Sequence, residues 1–77
     1  MSPSRTLAYH FVELSSHKQR QIAHKFGLPK EGDEGLRDDY LFRELFRQAT
    51  ATGKLGDLWE EVETIHAKGR PKENPFR

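Results

Sequence analysis

One segment constrains the fold of this chain more than any other: residues 40–49, which read YLFRELFRQA. At a helical rotation of about 100° per residue, its apolar side chains fall on one arc of roughly 140°. They are Leu41, Phe42, Leu45, Phe46 and Ala49. Because this arc is wider than a surface helix usually needs, we predict a central helix that packs against several neighbours. The opposite face carries charged and amide side chains, and nothing on it indicates catalysis.

The composition predicts a small folded domain in the cytoplasm. The chain has 77 residues, enough for one domain with a small core. Its apolar residues, 34% of the total, are clustered and periodic, unlike those of a disordered chain. Because cysteine is absent, stability must come from packing, which fits a reducing compartment. The sequence shows no apolar run long enough to span a membrane and no secretion signal, so we expect neither membrane insertion nor secretion.

Three further helices are predicted around the central one. The first covers residues 5–13 and follows a start signal of serine and proline. The second begins with Ser16 and Gln19 at the spacing of a capping box. It ends at Gly27, which is placed to adopt the left-handed conformation of a helix end. The last helix covers residues 55–66 and has the most regular apolar stripe in the chain.

The sequence also predicts how these helices are connected. Residues 30–35, KEGDEG, predict a loop because they contain two glycines and no apolar residue. Asp38 and Asp39 then favour the positive N-terminal end of the central helix. Gly53 predicts the end of that helix.

The predicted core combines large apolar side chains from all four helices. They are Phe11, Ile22, Phe26, Leu41, Leu45, Phe46, Leu58, Trp59 and Val62. Trp59 is expected to be a main anchor of this core. His10 is expected to point away from the core as a surface residue. His66 shares the apolar stripe of the last helix, where a histidine is more often half-buried or capping than a metal ligand.

Charge is unevenly distributed along the chain. Residues 1–30 carry five basic and one acidic side chain, residues 31–67 carry four basic and ten acidic ones, and residues 68–77 carry four basic and one acidic. The predicted basic face of the second helix comprises His17, Lys18, Arg20, His24 and Lys25. The predicted acidic face of the last helix comprises Asp57, Glu60 and Glu61. Either face could be merely solvated, but the pair suits an electrostatic docking surface between proteins.

No motif for catalysis or cofactor binding is present. The sequence lacks a glycine-rich phosphate loop, the HExxH and GxSxG motifs, and any Cys or His cluster at ligand spacing. His17 and His24 lie two helical turns apart, too far to share one metal ion. We therefore expect no enzyme activity, no catalytic residue, no cofactor, no metal and no small-molecule substrate.

DNA binding is the alternative function. KQRQIAHKFGL, residues 18–28, is similar to the first helix of a helix-turn-helix motif. However, the turn that follows is too long, and the next helix begins with Asp38 and Asp39, which phosphates would repel. Nucleic acid is therefore a disfavoured partner.

Three segments carry a family resemblance: Leu14-Ser15, residues 22–28, and the run RELFRQATATGKLGDLWEEV at residues 43–62. In these the chain resembles the bacterial effector-associated, death-like domains. CARD-like members of that group accompany proteases, nucleotide-binding proteins and gasdermin-type effectors in anti-phage defence. The resemblance covers roughly residues 7–67 and carries over no catalytic residue.

The resemblance implies a compact antiparallel all-α bundle of the death fold, usually with six helices. Four are predicted here, and two short ones would fit at residues 30–36 and 72–77. We expect residues 1–69 to form the domain and residues 70–77 to be a tail or a linker to an effector. The implied function is an adaptor that recruits or clusters an effector through contacts with another death-like domain, either a second copy or a partner encoded in the same operon.

Overall fold

Four α-helices account for the regular structure of the part of the chain that the structure describes. A computed structural model describes residues 2–28, 38–69 and 73–76. In it, α1 is Pro3–Glu13, α2 is Ser16–Lys25, α3 is Asp38–Ala51 and α4 is Leu55–His66. The described residues contain no strand, so the prediction of an all-α helical bundle is confirmed. None of the described helices is long and apolar enough to span a membrane.

The N-termini of the first two helices are capped by serine side chains. Ser2 Oγ accepts a hydrogen bond from the backbone N–H of Arg5, and Ser15 Oγ accepts one from that of Lys18, each at 3.3 Å. The predicted capping box beginning at Ser16 is therefore wrong, because Ser15 is the N-cap of α2. With Ser15 as the cap, the N–H of Lys18 bonds the Ser15 hydroxyl and the N–H of Gln19 bonds the Ser15 carbonyl at 2.9 Å.

Gln19 has a different role from the one that the capping box assigned to it. Its side-chain amide donates to the carbonyl of Leu14 at 2.9 Å and to that of Val12 at 3.4 Å. Gln19 is only 7% exposed. The last carbonyls of a helix have no partner within it, so a buried amide donor satisfies two acceptors where α1 ends. Gln19 thus ties the start of α2 to the end of α1.

The C-termini of α2 and α3 are formed by left-handed glycines, as predicted. Gly27 has φ +94° and Gly53 has φ +70°. In each case the following residue closes the end: Leu28 N–H donates to the Ala23 carbonyl at 3.0 Å, and Lys54 N–H to that of Ala49 at 2.7 Å. These bonds satisfy carbonyl groups that would otherwise lack partners.

The centre of the core consists of apolar side chains from all four helices. The buried ones are Leu7, Phe11, Ile22, Ala23, Leu41, Leu45, Ala49, Leu58 and Val62. Phe26, Phe46 and Trp59 are partly buried and pack against this cluster. The predicted central helix, α3, contacts each of the other three, but so does α4. The core therefore forms around two helices rather than one.

Trp59, expected to be a main core anchor, lies at the edge of the core and holds residues 73–76 against α4. Its indole N–H donates to the Glu73 carbonyl at 2.9 Å, and its ring meets the Phe76 ring edge to face at 5.8 Å. Asn74 donates to the Gly56 carbonyl at 2.8 Å and accepts from Phe76 N–H at 3.0 Å. An indole that must hydrogen-bond favours such an edge position.

Of the two additional short helices, the second overlaps the described residues, and no helix forms there. The predicted loop at residues 30–35 and the short helix at residues 30–36 both fall within residues 29–37, which lie outside the described residues. Of the second short helix, at residues 72–77, the described part is 73–76, and it forms a turn instead. The Asn74 side chain accounts for this, since it bonds the N–H of Phe76 locally.

Candidate interaction surface

The basic side of α2 and the acidic side of α4 lie next to each other in one molecule. Lys25 Nζ is 3.1 Å and 3.2 Å from the two carboxylate oxygens of Glu61. Lys25 is 62% exposed and Glu61 37% exposed, measured on their side chains. At such exposure an ion pair contributes only about 0–1 kcal/mol to stability. Lys25 and Glu61 can therefore give up this ion pair and pair with charges of a binding partner at little cost in stability.

A groove with a volume of about 380 Å³ runs between the two helices. Its lining combines charged, amide and apolar side chains: Lys18, Gln21, Ile22, His24, Lys25, Glu61 and Ile65. We call this feature the α2–α4 groove. A second depression, of about 270 Å³, is lined by Glu60, Glu61, Thr64 and Ile65. Because Glu61 and Ile65 line both, the two concavities form one continuous surface along α4.

The groove brings together four of the predicted interface residues: Lys18, His24, Lys25 and Glu61. Lys18, His24 and Lys25 are exposed, whereas Glu61 is half-buried. His24 is also held in place, because its Nδ1–H donates to the Leu28 carbonyl at 3.4 Å. The groove thus has basic side chains on its α2 wall and a carboxylate on its α4 wall.

The other predicted interface residues are not among those that line this groove. His17 and Asp57 are exposed, while Arg20 and Glu60 are half-buried. Arg20 is therefore less exposed than Lys18 and Lys25, which the sequence placed on the same basic face. A reversal of its charge would disturb the packing as well as the surface, so Lys18 and Lys25 are better probes of the charged face.

A second polar arrangement, between α1 and α4, was missed by the sequence analysis. His10 Nδ1–H donates to both carboxylate oxygens of Glu63, at 2.6 Å and 2.8 Å, because an ionised carboxylate can only accept. His66 Nε2–H donates to Glu13 Oε2 at 3.0 Å. The two imidazoles stack with centroids 3.9 Å apart and an interplanar angle of 11°. We call these four residues the α1–α4 polar cluster.

The prediction that His10 is a surface residue is wrong. Its side chain is 26% exposed, and its partner Glu63 is among the buried polar residues. The physical reason is that a carboxylate packed between two helices needs a donor, and His10 supplies it. A signal was present in the sequence, since histidine and glutamate stand three residues apart on each helix, which places each pair on one face.

The chain matches the model of a known protein family. A family model described as GTPase-associated adaptor domain matches residues 3–64. The match begins with α1 and includes all but the last two residues of α4. No curated protein and no solved structure matches the chain.

Proposed function

Because the chain belongs to the family of GTPase-associated adaptor domains, we propose that it recruits or clusters an effector by binding another helical domain at the α2–α4 groove. The observation that carries this proposal is the composition of the groove. The half-buried Ile65 supplies apolar area over the buried Ile22, and charges of opposite sign line the two walls. Apolar contact supplies affinity for a protein, while the charges fix its orientation and suppress wrong partners.

The groove is suited to binding rather than to catalysis. Among the described residues that line it, the carboxylate of Glu61 is paired with Lys25, and the imidazole of His24 donates to a backbone carbonyl. A general base must reach a proton on a substrate or nucleophile, and neither group is arranged beside a nucleophile among the lining residues. This supports a role as a non-catalytic adaptor, in agreement with the family description.

Clustering explains how such a domain acts without chemistry of its own. Two effectors whose adaptor domains are held together meet at a much higher effective concentration. Contacts made through exposed charges form quickly and weaken as salt rises. The partner that we propose is another death-like domain, either a second copy of this one or one encoded in the same operon, in a cytoplasmic anti-phage defence system of bacteria.

The attached effector, for example a protease, is proposed to follow the chain's last residues. In this arrangement residues 1–69 form the adaptor domain and residues 70–77 lead to the effector. The hydrogen bond from Asn74 to the Gly56 carbonyl then fixes the direction in which this linker leaves the bundle. An effector held in a fixed direction is presented in the same orientation by every clustered copy.

Charge reversal at Lys18 tests the proposal. Lys18 lines the groove and is exposed, so Lys18→Glu changes the surface while leaving the Lys25–Glu61 pair in place. Arg5→Glu is the matched control, because Arg5 is exposed on α1 and the charge change is the same. Light scattering across protein concentration, at low and high salt, measures self-association. Binding to the neighbouring operon products is measured by calorimetry.

We expect Lys18→Glu to weaken association at least tenfold and Arg5→Glu to leave it unchanged. Raising the salt concentration should weaken the wild-type complex in the same way as the reversal does. If Lys18→Glu associates as the wild type does with itself and with every operon partner, the groove is not the interface.

A further inference from the structure

We propose that the α1–α4 polar cluster is a binding site for a divalent transition-metal ion, with His10, Glu63 and His66 as its ligands. The ion that this set fits best is Zn²⁺. This site is separate from the α2–α4 groove, and the proposal does not depend on the adaptor function.

The donor atoms already converge. One ligand atom from each of the three residues lies within 4.8 Å of the other two. In a tetrahedral zinc site, ligand atoms are about 3.3 Å apart, given metal–ligand distances of about 2.0 Å. The required approach is therefore at most about 1.5 Å. It requires the two imidazoles to rotate about their side-chain torsions out of their present stack.

The chemistry of the donors fits zinc rather than calcium or magnesium. Two imidazoles and one carboxylate form a ligand set that zinc proteins use, whereas calcium and magnesium prefer oxygen ligands alone. A water molecule or a Glu13 oxygen can complete the coordination. Glu13 already accepts a hydrogen bond from His66, and a carboxylate in that position orients metal-bound imidazoles.

The burial of the cluster fits a metal site in which one ligand is fixed inside the bundle and the others are accessible to an ion from solvent. The Glu63 side chain is 10% exposed, whereas those of His10 and His66 are 26% and 28% exposed. The carboxylate is thus fixed inside the bundle while the imidazoles border on solvent. An ion can enter from the imidazole side and replace the Nδ1 proton that His10 donates to Glu63. That proton then passes to Nε2 of the same ring or to solvent.

Binding there would link the two ends of the chain. The ligands lie on α1 and α4, and 53 residues separate His10 from Glu63. These side chains converge only in the folded bundle, so Zn²⁺ binds the native state in preference to the unfolded one and raises the unfolding temperature.

The test titrates untagged, chelator-treated protein with ZnCl₂ and follows heat and thermal unfolding. We expect one Zn²⁺ per chain with micromolar or tighter affinity. The unfolding temperature should rise by about 5 °C or more at a hundredfold excess over Kd, and MgCl₂ should cause no rise. His66→Gln should weaken binding at least tenfold. The double variant His17→Gln/His24→Gln is the matched control, since both histidines are exposed on α2, and it should bind as the wild type does.

Imidazole nitrogen NMR spectra of the wild-type protein identify the histidines that bind Zn²⁺, even if His66→Gln fails to fold. Zn²⁺ should shift the ring signals of His10 and His66 and leave those of His17 and His24 in place. Absence of saturable binding, or binding that the α2 histidine variant abolishes, would overturn the proposal. So would Zn²⁺-dependent shifts confined to His17 and His24.

Discussion

Lys25 Nζ on α2 lies 3.1 Å from Glu61 Oε1 on α4, so two faces of opposite charge meet within a single molecule. The sequence had indicated the two faces but not their proximity. Because both side chains are partly exposed, their ion pair contributes little to stability. Its main effect is on the pattern of charge that the surface presents to a binding partner.

Charge exchange at this pair separates its effect on folding from its effect on binding. Lys25→Glu and Glu61→Lys each place like charges together and should lower the free energy of unfolding by no more than about 1 kcal/mol. The double exchange restores an ion pair and should regain that loss. Urea unfolding of the four proteins measures the cycle.

Binding measurements on the same four proteins distinguish self-association from binding to a different partner chain. For a different partner chain, the double exchange presents the wrong charges and binding should stay weak although folding is restored. For self-association in which Lys25 of one copy meets Glu61 of another, the exchange restores both contacts. A stability loss of several kcal/mol in either single variant would contradict the view of this pair as a weak surface contact.

Gln19 should matter more to stability than its polar side chain suggests. Gln19→Ala leaves the Leu14 and Val12 carbonyls without their side-chain donor at a part-buried site, which should cost about 1–3 kcal/mol. Gln21→Ala, on the exposed side of the same helix, is the control and should change stability by less than about 0.5 kcal/mol. Chemical denaturation compares the two, and equal stabilities would mean that the hydrogen bonds of Gln19 contribute nothing net.

The sequence was most informative where structure depends on neighbouring residues. Gly27 and Gly53 end their helices as predicted because a left-handed conformation is a local property of the backbone. The buried residues of α3 were also predictable, since helical periodicity alone places Leu41, Leu45 and Ala49 on one face.

The sequence was least informative about contacts between distant segments. The pairing of His10 with Glu63 depends on how α1 is rotated against α4, and periodicity does not determine that rotation. Trp59 was expected at the centre because its own helix places it on the apolar stripe. It lies at the edge because residues 73–76 supply its hydrogen-bond acceptor and the Phe76 ring, and nothing within α4 indicates such a partner.

The edge position of Trp59 makes a comparison with its buried neighbour informative. Leu58 is fully buried, so Leu58→Ala should cost about 2–5 kcal/mol. Trp59→Phe keeps an aromatic ring and removes the hydrogen bond to Glu73, which should cost only about 0.5–1.5 kcal/mol. Circular dichroism during urea unfolding measures both. Should Trp59→Phe prove as damaging as Leu58→Ala, the indole would have to be a central core residue after all.

Lys68 is the position where one substitution should stabilise the domain. It follows α4 with φ +56°, a left-handed conformation that side chains disfavour, while Gly69 N–H closes the helix end on the Thr64 carbonyl at 3.1 Å. Lys68→Gly removes the clash between Cβ and the backbone, worth about 1–2 kcal/mol, while glycine loses about 0.5–1 kcal/mol more in backbone entropy on folding. The free energy of unfolding should therefore rise by about 0.5–1 kcal/mol in total. Lys54→Gly is the control, because Lys54 has φ −111° and gains no such relief. Urea unfolding should show a higher midpoint with an unchanged m-value for Lys68→Gly alone. If both glycine variants are equally destabilised, the left-handed end of α4 does not carry the strain that its backbone angle implies.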